Sequence, residues 1–180
     1  MVDRRLFIKI GGMAIFALGS PRLVRSSFPN LFNPQRFLAF FNTHTFERLA
    51  SLYWSAGEYK PTALERINHI LRDFRTGESK SIDTGLLDLL YALRLKLKTE
   101  QPFHVISGYR SPATNTALRE KGRGVAKNSL HMLGKAIDIR LPGIPLPDLR
   151  KAALDLKAGG VGYYSKSDFV HVDVGRVRCW

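Results

Sequence analysis

The sequence predicts an α+β fold: one compact domain in which an antiparallel sheet is flanked by helices. Three observations point there. Short segments with period-two apolar alternation occur early and late in the chain, two leucine-rich segments with helical spacing lie between them, and the strands and helices are too segregated for a regular βαβ alternation. The length of 180 residues suits one domain, or one domain with an appendage.

Leu38–Asn42 and Leu49–Trp54, separated by the polar Thr43-His44-Thr45, predict a hairpin of two strands. Pro61 can open a first helix, with Leu64, Ile67, Leu71 and Phe74 along one side and Arg75-Thr76-Gly77 closing it. Asp83 can cap a second, in which Leu86, Leu90, Leu93 and Leu97 repeat at helical spacing. Nothing on these helices demands chemistry. Phe103–Ser107 reads as a strand, Gly108-Tyr109-Arg110 as a turn, and Ser111-Pro112 as the cap and first residue of a short helix through Arg119. Gly122-Arg123-Gly124 reads as a mobile loop. Ala136–Leu141 and Phe169–Val174 are predicted strands, joined by a helix from Leu146 or Pro147 to Lys157 that Gly159-Gly160 terminates.

Composition narrows the partners. With 44% hydrophobic and 24% charged residues the chain is an ordinary globular protein, able to bury a core without disulfides. Cys179 is the only cysteine, which excludes an internal disulfide and any cysteine-cluster metal site. A formal charge of +13 favours polyanions: nucleic acid, acidic lipid or anionic wall polymer. Residues 1–26 carry Arg4, Arg5, Lys9, Arg22 and Arg25 against Asp3, so +9 remains for the rest. That segment places a charged stretch before the mildly apolar Ile10–Gly19 run, too short for a comfortable membrane span. Its paired arginines, with Phe7 and Lys9 after them, resemble a twin-arginine export signal, either cleaved or kept as an N-terminal membrane anchor, and predict a periplasmic or envelope location. The domain proper is then expected over residues 30–180.

Two late strands carry the polar residues. In Phe169–Val174 the valines share one face, while Phe169, His171 and Asp173 share the other. In Ala136–Leu141, Ile137, Ile139 and Leu141 oppose Asp138 and Arg140. Taken singly, each strand is explained by a half-solvated sheet. His131, however, precedes a glycine turn at Gly134 that leads into the strand of Asp138, so the chain can fold imidazole and carboxylate together. His131, Asp138 and His171 would supply two nitrogens and one oxygen, leaving a fourth tetrahedral position of Zn²⁺ for water. His44, His69 and His104 fall outside this trio and read as structural.

These residues resemble a known family. Ser129, His131, Gly134, Ala136 and Asp138 match the S-x-H-x-x-G-x-A-x-D signature of the zinc D-Ala-D-Ala peptidases, the VanX/VanY-like clan with a hedgehog-like fold. Ser107-Gly108-Tyr109-Arg110-Ser111-Pro112 matches a second block, and Gly160–Tyr164 with Phe169–Asp173 a third. Within the clan the chain is similar to the YcbK/MepK-type murein endopeptidases, from the arginine pair to Trp180. The resemblance implies one Zn²⁺ on His131, Asp138 and His171, and hydrolysis of peptidoglycan peptide cross-links by a metal-activated water.

A carboxylate must then carry the proton to the leaving amine. Many members of the clan use a Glu three residues before the last histidine; Asp168 stands there, and Asp173, two residues beyond His171, is its rival or instead orients a ligand histidine. By resemblance Arg110 faces substrate, stabilising the oxyanion or gripping a carboxylate. The scissile bond stays open between D-Ala–diaminopimelate, diaminopimelate–diaminopimelate and a terminal D-Ala, the last being carboxypeptidase chemistry. A nucleic-acid-binding module has no supporting motif. A wall-binding domain that keeps fold and zinc without turnover is the other reading.

Overall fold

A computed structural model describes residues 35–122 and 125–180. The segment expected to be an export signal, residues 1–26, and the Arg123-Gly124 part of the predicted loop lie outside the described residues. The remainder falls within one compact unit, Phe32–Trp180.

The elements run β1 (Arg36–Asn42), β2 (Arg48–Ser55), β3 (Glu58–Tyr59), α1 (Pro61–Ile70), α2 (Thr84–Lys96), β4 (Phe103–Ser107), α3 (Pro112–Glu120), β5 (Ala136–Arg140), α4 (Leu146–Leu156), β6 (Gly160–Tyr164), β7 (Phe169–Asp173) and β8 (Arg178–Cys179). All eight strands form one sheet in the order β3-β2-β1-β4-β5-β7-β6-β8. Antiparallel pairing dominates, as expected, but β1/β4 and β6/β8 are parallel, so the sheet is mixed. The first exception follows from the connection. The chain leaves the hairpin through α1 and α2 and re-enters beside β1, a crossover long enough for parallel strands.

The helix ends have local causes. At the start of α2 the Asp83 carboxylate accepts from the Gly85 N–H at 2.8 Å, and at the start of α3 the Ser111 hydroxyl accepts from the Thr114 N–H at 3.2 Å. Helix α1 stops at Ile70, short of the predicted Phe74, because Asp73 diverts the backbone: its N–H donates to Glu78 O while its carboxylate accepts from Arg75 N–H and Ser111 N–H. Helix α4 ends at Lys157 in the left-handed region, and the glycines expected to terminate it instead lead into β6.

Helices α1, α2 and α4 pack against the sheet, and α2 buries Leu86, Leu87, Leu89, Leu90 and Leu93. Each such leucine contributes roughly 1.5–3 kcal/mol relative to exposure. Ile137, Ile139, Val170 and Val172 complete the core from the sheet side. The alternate residues of β5 and β7 therefore point to the opposite face. Among the described residues no helix is long and apolar enough to cross a membrane.

Candidate metal centre

Cross-strand register brings the polar residues together. β5 and β7 are antiparallel neighbours with Asp138 directly opposite His171 and Ala136 opposite Asp173. His131 arrives from a short 3-10 turn, Leu130–Leu133, capped by the Ser129 hydroxyl and closed by Gly134 in the left-handed region at φ 67°. A side chain at Gly134 would be strained by that φ and would place its Cβ 2.4 Å from Ser81 O. The Gly134 carbonyl also accepts from Asp83 N–H at 3.0 Å, so the cap of α2 braces the turn that delivers His131.

His131, Asp138 and His171 are all buried, and one donor atom from each lies within 4.8 Å of the others. His171 Nδ1 stands 2.9 Å from Asp138 Oδ1 and 3.2 Å from His131 Nε2, and Asp138 Oδ1 is 3.2 Å from His131 Nε2. The outer ring nitrogens face acceptors: His131 Nδ1 lies 2.7 Å from Gly108 O and His171 Nε2 lies 3.0 Å from Asp173 Oδ2. An imidazole nitrogen facing such an acceptor carries the proton, so in the neutral rings the other nitrogen turns a lone pair inward. Three inward acceptors at hydrogen-bond distance repel one another unless a cation stands among them. The donor set of two imidazoles and one carboxylate fits a divalent metal.

The electrostatics agree. Burial would raise the Asp138 pKa, but the charge and hydrogen bond of His131 and the hydrogen bond of His171 prevail and hold the carboxyl well below its usual range. Burial would lower that of His171, but hydrogen bonds to Asp138 and Asp173 raise it. A proton can thus take the cation's place between these groups, and a metal must displace it.

The group opens on a cavity of about 240 Å³ whose wall includes Arg110, Asn128, Tyr164, Phe169, Arg178 and Trp180. Arg110 is 8% exposed, its Nη2 lies 3.6 Å from Asp138 Oδ2 and its buried Nε has no hydrogen-bond partner. Burial pushes the guanidinium pKa down and Asp138 counters it. Its backbone N–H donates to His131 O at 3.2 Å, and the buried Asp73 holds the following residue, Ser111. A tilted contact of 5.2 Å joins Trp180 to His171, and its Nε1 donates to Tyr164 Oη at 2.8 Å.

Of the six residues singled out from the sequence, His131, Asp138, His171 and Arg110 share this cavity; Asp173 and Asp168 do not line it. Asp173 is fully buried behind His171, where its oxygens accept from His171, Arg178 and the Gly160 and Gly175 N–H groups. Against the desolvation that would raise it, these donors hold its pKa well below the usual carboxylate range. Asp168 follows a short turn, is mostly exposed, and pairs with Arg140 Nη1 at 2.9 Å in a separate cleft shared with His104. The sequence reading missed Arg178 and Trp180. Their spacing of two, which sets both on one side of an extended terminal segment, is the signal that could have found them.

The profile of a family described as "Peptidoglycan L,D-endopeptidase MepK" matches residues 32–180. The chain belongs to this family. Among curated members, peptidoglycan L,D-endopeptidase MepK of Escherichia coli (strain K12) is 45% identical over 179 residues, covering 99% of this chain and 97% of the relative. "Probable peptidoglycan L,D-endopeptidase MepK" of Haemophilus influenzae is 39% identical over 180 residues, covering 99% and 95%. The three resembling blocks fall on the elements that build the centre: the Gly108–Ser111 turn, the Ser129–Asp138 segment and the β6/β7 pair.

Proposed function

We propose that this chain is a metal-dependent endopeptidase that hydrolyses an L,D peptide cross-link of bacterial peptidoglycan, with Zn²⁺ held by His131, Asp138 and His171. The observation that carries the reading is the convergence of three lone-pair donors, each imidazole backed by an acceptor, on a cavity that also presents a buried arginine. When bound, the metal would lower the pKa of a water toward neutrality and polarise the scissile carbonyl. The residues of the chain do the rest. Arg110 offers N–H donors to charge developing on that carbonyl oxygen or to a substrate carboxylate. Among the described residues Asp138 is the only carboxylate lining the cavity. Paired with Arg110 at 3.6 Å and held well below the usual carboxylate range, it serves as a ligand rather than as a base. Asp173 orients His171, and Asp168 serves the surface pair with Arg140.

The relatives' L,D designation selects among the bonds the sequence left open. A D-Ala–diaminopimelate link joins two D centres, whereas a link between two diaminopimelates joins an L-centre carbonyl to a D-centre amine. The latter is the proposed substrate. Such a substrate lies in the cell envelope, which agrees with reading residues 1–26 as a twin-arginine-type export signal and residues 30–180 as the catalytic domain. The net charge, +13 for the whole chain and +9 without residues 1–26, would hold the protein near anionic wall polymers in a salt-dependent way.

The experiment is incubation of the purified protein with defined muropeptide dimers, with and without a chelator. Expected are monomer masses from the diaminopimelate–diaminopimelate dimer, none from the D-Ala-linked dimer, loss of turnover with chelator and recovery on adding Zn²⁺. Binding to sacculi without any released peptide would establish the non-catalytic wall-binding reading instead.

A further inference from the structure

Arg178 lies on the edge strand β8 and in the cavity wall, and the mechanism above leaves it unused. Its guanidinium grips Asp173 with two donors, Nη1 to Oδ1 at 3.1 Å and Nη2 to Oδ2 at 2.7 Å. Nη1 also donates to Arg176 O at 3.0 Å, and the guanidinium carbon stands 4.9 Å from the centre of a Trp180 ring.

The two oxygens of Asp173 are anchored differently. Oδ1 accepts from the backbone N–H groups of Gly160 at 3.0 Å and Gly175 at 2.8 Å, besides Arg178. Oδ2 accepts from His171 Nε2 at 3.0 Å and from Arg178 Nη2. Without Arg178 the carboxylate would stay pinned at Oδ1 by two amides, while Oδ2, the oxygen that His171 uses, would be free to pivot. A fully buried carboxylate would also lose the guanidinium that neutralises it. Room for the clamp is built into the backbone: a Cβ on Gly160 would stand 2.4 Å from Arg178 Nη1 and 2.5 Å from Asp173 Oδ2.

We propose that Arg178 is a positioning residue for the metal-ligand set. Through Asp173 it holds His171 with its proton on Nε2 and its Nδ1 lone pair facing Asp138 and His131. If the ring carried its proton on Nδ1 instead, that proton would point at Asp138 and remove one donor from the centre. The bidentate geometry is specific to arginine, because a lysine supplies the charge as a point and cannot donate to both oxygens in parallel. This inference rests on the proposed metal site and goes beyond it by assigning what fixes one ligand.

The test uses the full-length protein and the variants Arg178→Gln and Arg178→Lys. Nitrogen-15 NMR of the metal-free protein at alkaline pH, where the imidazoles are neutral, reads the His171 tautomer. Competition with a chromophoric chelator reads Zn²⁺ affinity, and kcat and KM are measured on the muropeptide dimer. In Arg178→Gln the Nε2–H tautomer should give way to a mixture, Zn²⁺ affinity should fall by about 10–100-fold, and kcat should fall with KM little changed. Arg178→Lys should recover part of each, and stands in should the glutamine variant fail to fold. Wild-type tautomer and Zn²⁺ affinity in a folded Arg178 variant would overturn the assignment. A wild-type chain that leaves the dimers intact, while Arg178→Gln still shifts tautomer and affinity, would refute the endopeptidase reading and leave the positioning role standing.

Discussion

Two polar clusters, one in each half of the sheet, each have an aspartate at the centre, yet their hydrogen bonds close in opposite ways. In the β1–β3 half, Asp88 on α2 accepts from Arg36 Nη1 at 2.6 Å, Tyr53 Oη at 2.9 Å and Tyr59 Oη at 2.8 Å. Donors surround an acceptor there, and the cluster is complete without a ligand. In the β4–β8 half, two imidazoles turn lone pairs toward Asp138, while their N–H groups are committed to Gly108 O and Asp173. A buried polar group points to function when acceptors face one another, more than when it is merely buried.

The largest effect that could break this contrast comes from the acceptor-rich cluster. His171→Ala or Asp138→Asn should abolish stoichiometric Zn²⁺ binding and cut turnover beyond the ~100-fold expected of residues that only support ligands. Circular dichroism should report an intact metal-free fold. Asp173→Asn comes next: it replaces an ionised acceptor of five hydrogen bonds, and Zn²⁺ affinity should drop by about 10–100-fold, measured by chelator competition.

The donor-satisfied cluster should respond in stability alone. Asp88→Asn should cost about 1 kcal/mol in urea unfolding, a modest value because the group is partly exposed, and should leave turnover alone. Burial would raise the Asp88 pKa above its ordinary 3.8, but Arg36, Tyr59 and Tyr53 bring it below. Its stabilisation is therefore complete above 3.8 and is lost as the pH falls through the lower folded-state value. Unfolding free energies of wild type and Asp88→Asn should converge in that acidic window. The smallest effect belongs to Asp168→Asn, which breaks an exposed pair and should change kcat by less than about threefold. A hundredfold loss would put Asp168 back into proton transfer.

The two halves also differ in how much of each is written in local sequence. The hairpin, both leucine-rich helices and the Asp83 and Ser111 caps follow from local periodicity and capping, which one stretch of sequence contains. The common face of Asp138 and His171 follows from strand alternation once β5 and β7 are paired. Strand β6 is harder to read because Gly160 and Gly162 weaken its strand pattern, and both glycines answer to distant groups. A Cβ on Gly162 would stand 2.7 Å from Trp180, and one on Gly160 would meet Arg178 and Asp173. The parallel partners of β1 and β6 are hidden for the same reason: pairing across the sheet depends on connections, and no local spacing records it. The surroundings of Asp173 likewise become readable only when Gly160, Gly175 and Arg178 are brought around it.

A single cation site formed by the two imidazoles and one carboxylate fixes a stoichiometry of one Zn²⁺ per chain. Equilibrium dialysis of the purified chain against Zn²⁺ tests it most directly, with Asp138→Asn and His131→Ala beside the wild type. One ion per wild-type chain is expected, with that ion lost in both variants; a wild-type chain that takes up none, or variants that hold Zn²⁺ as tightly as wild type, would rule the site out.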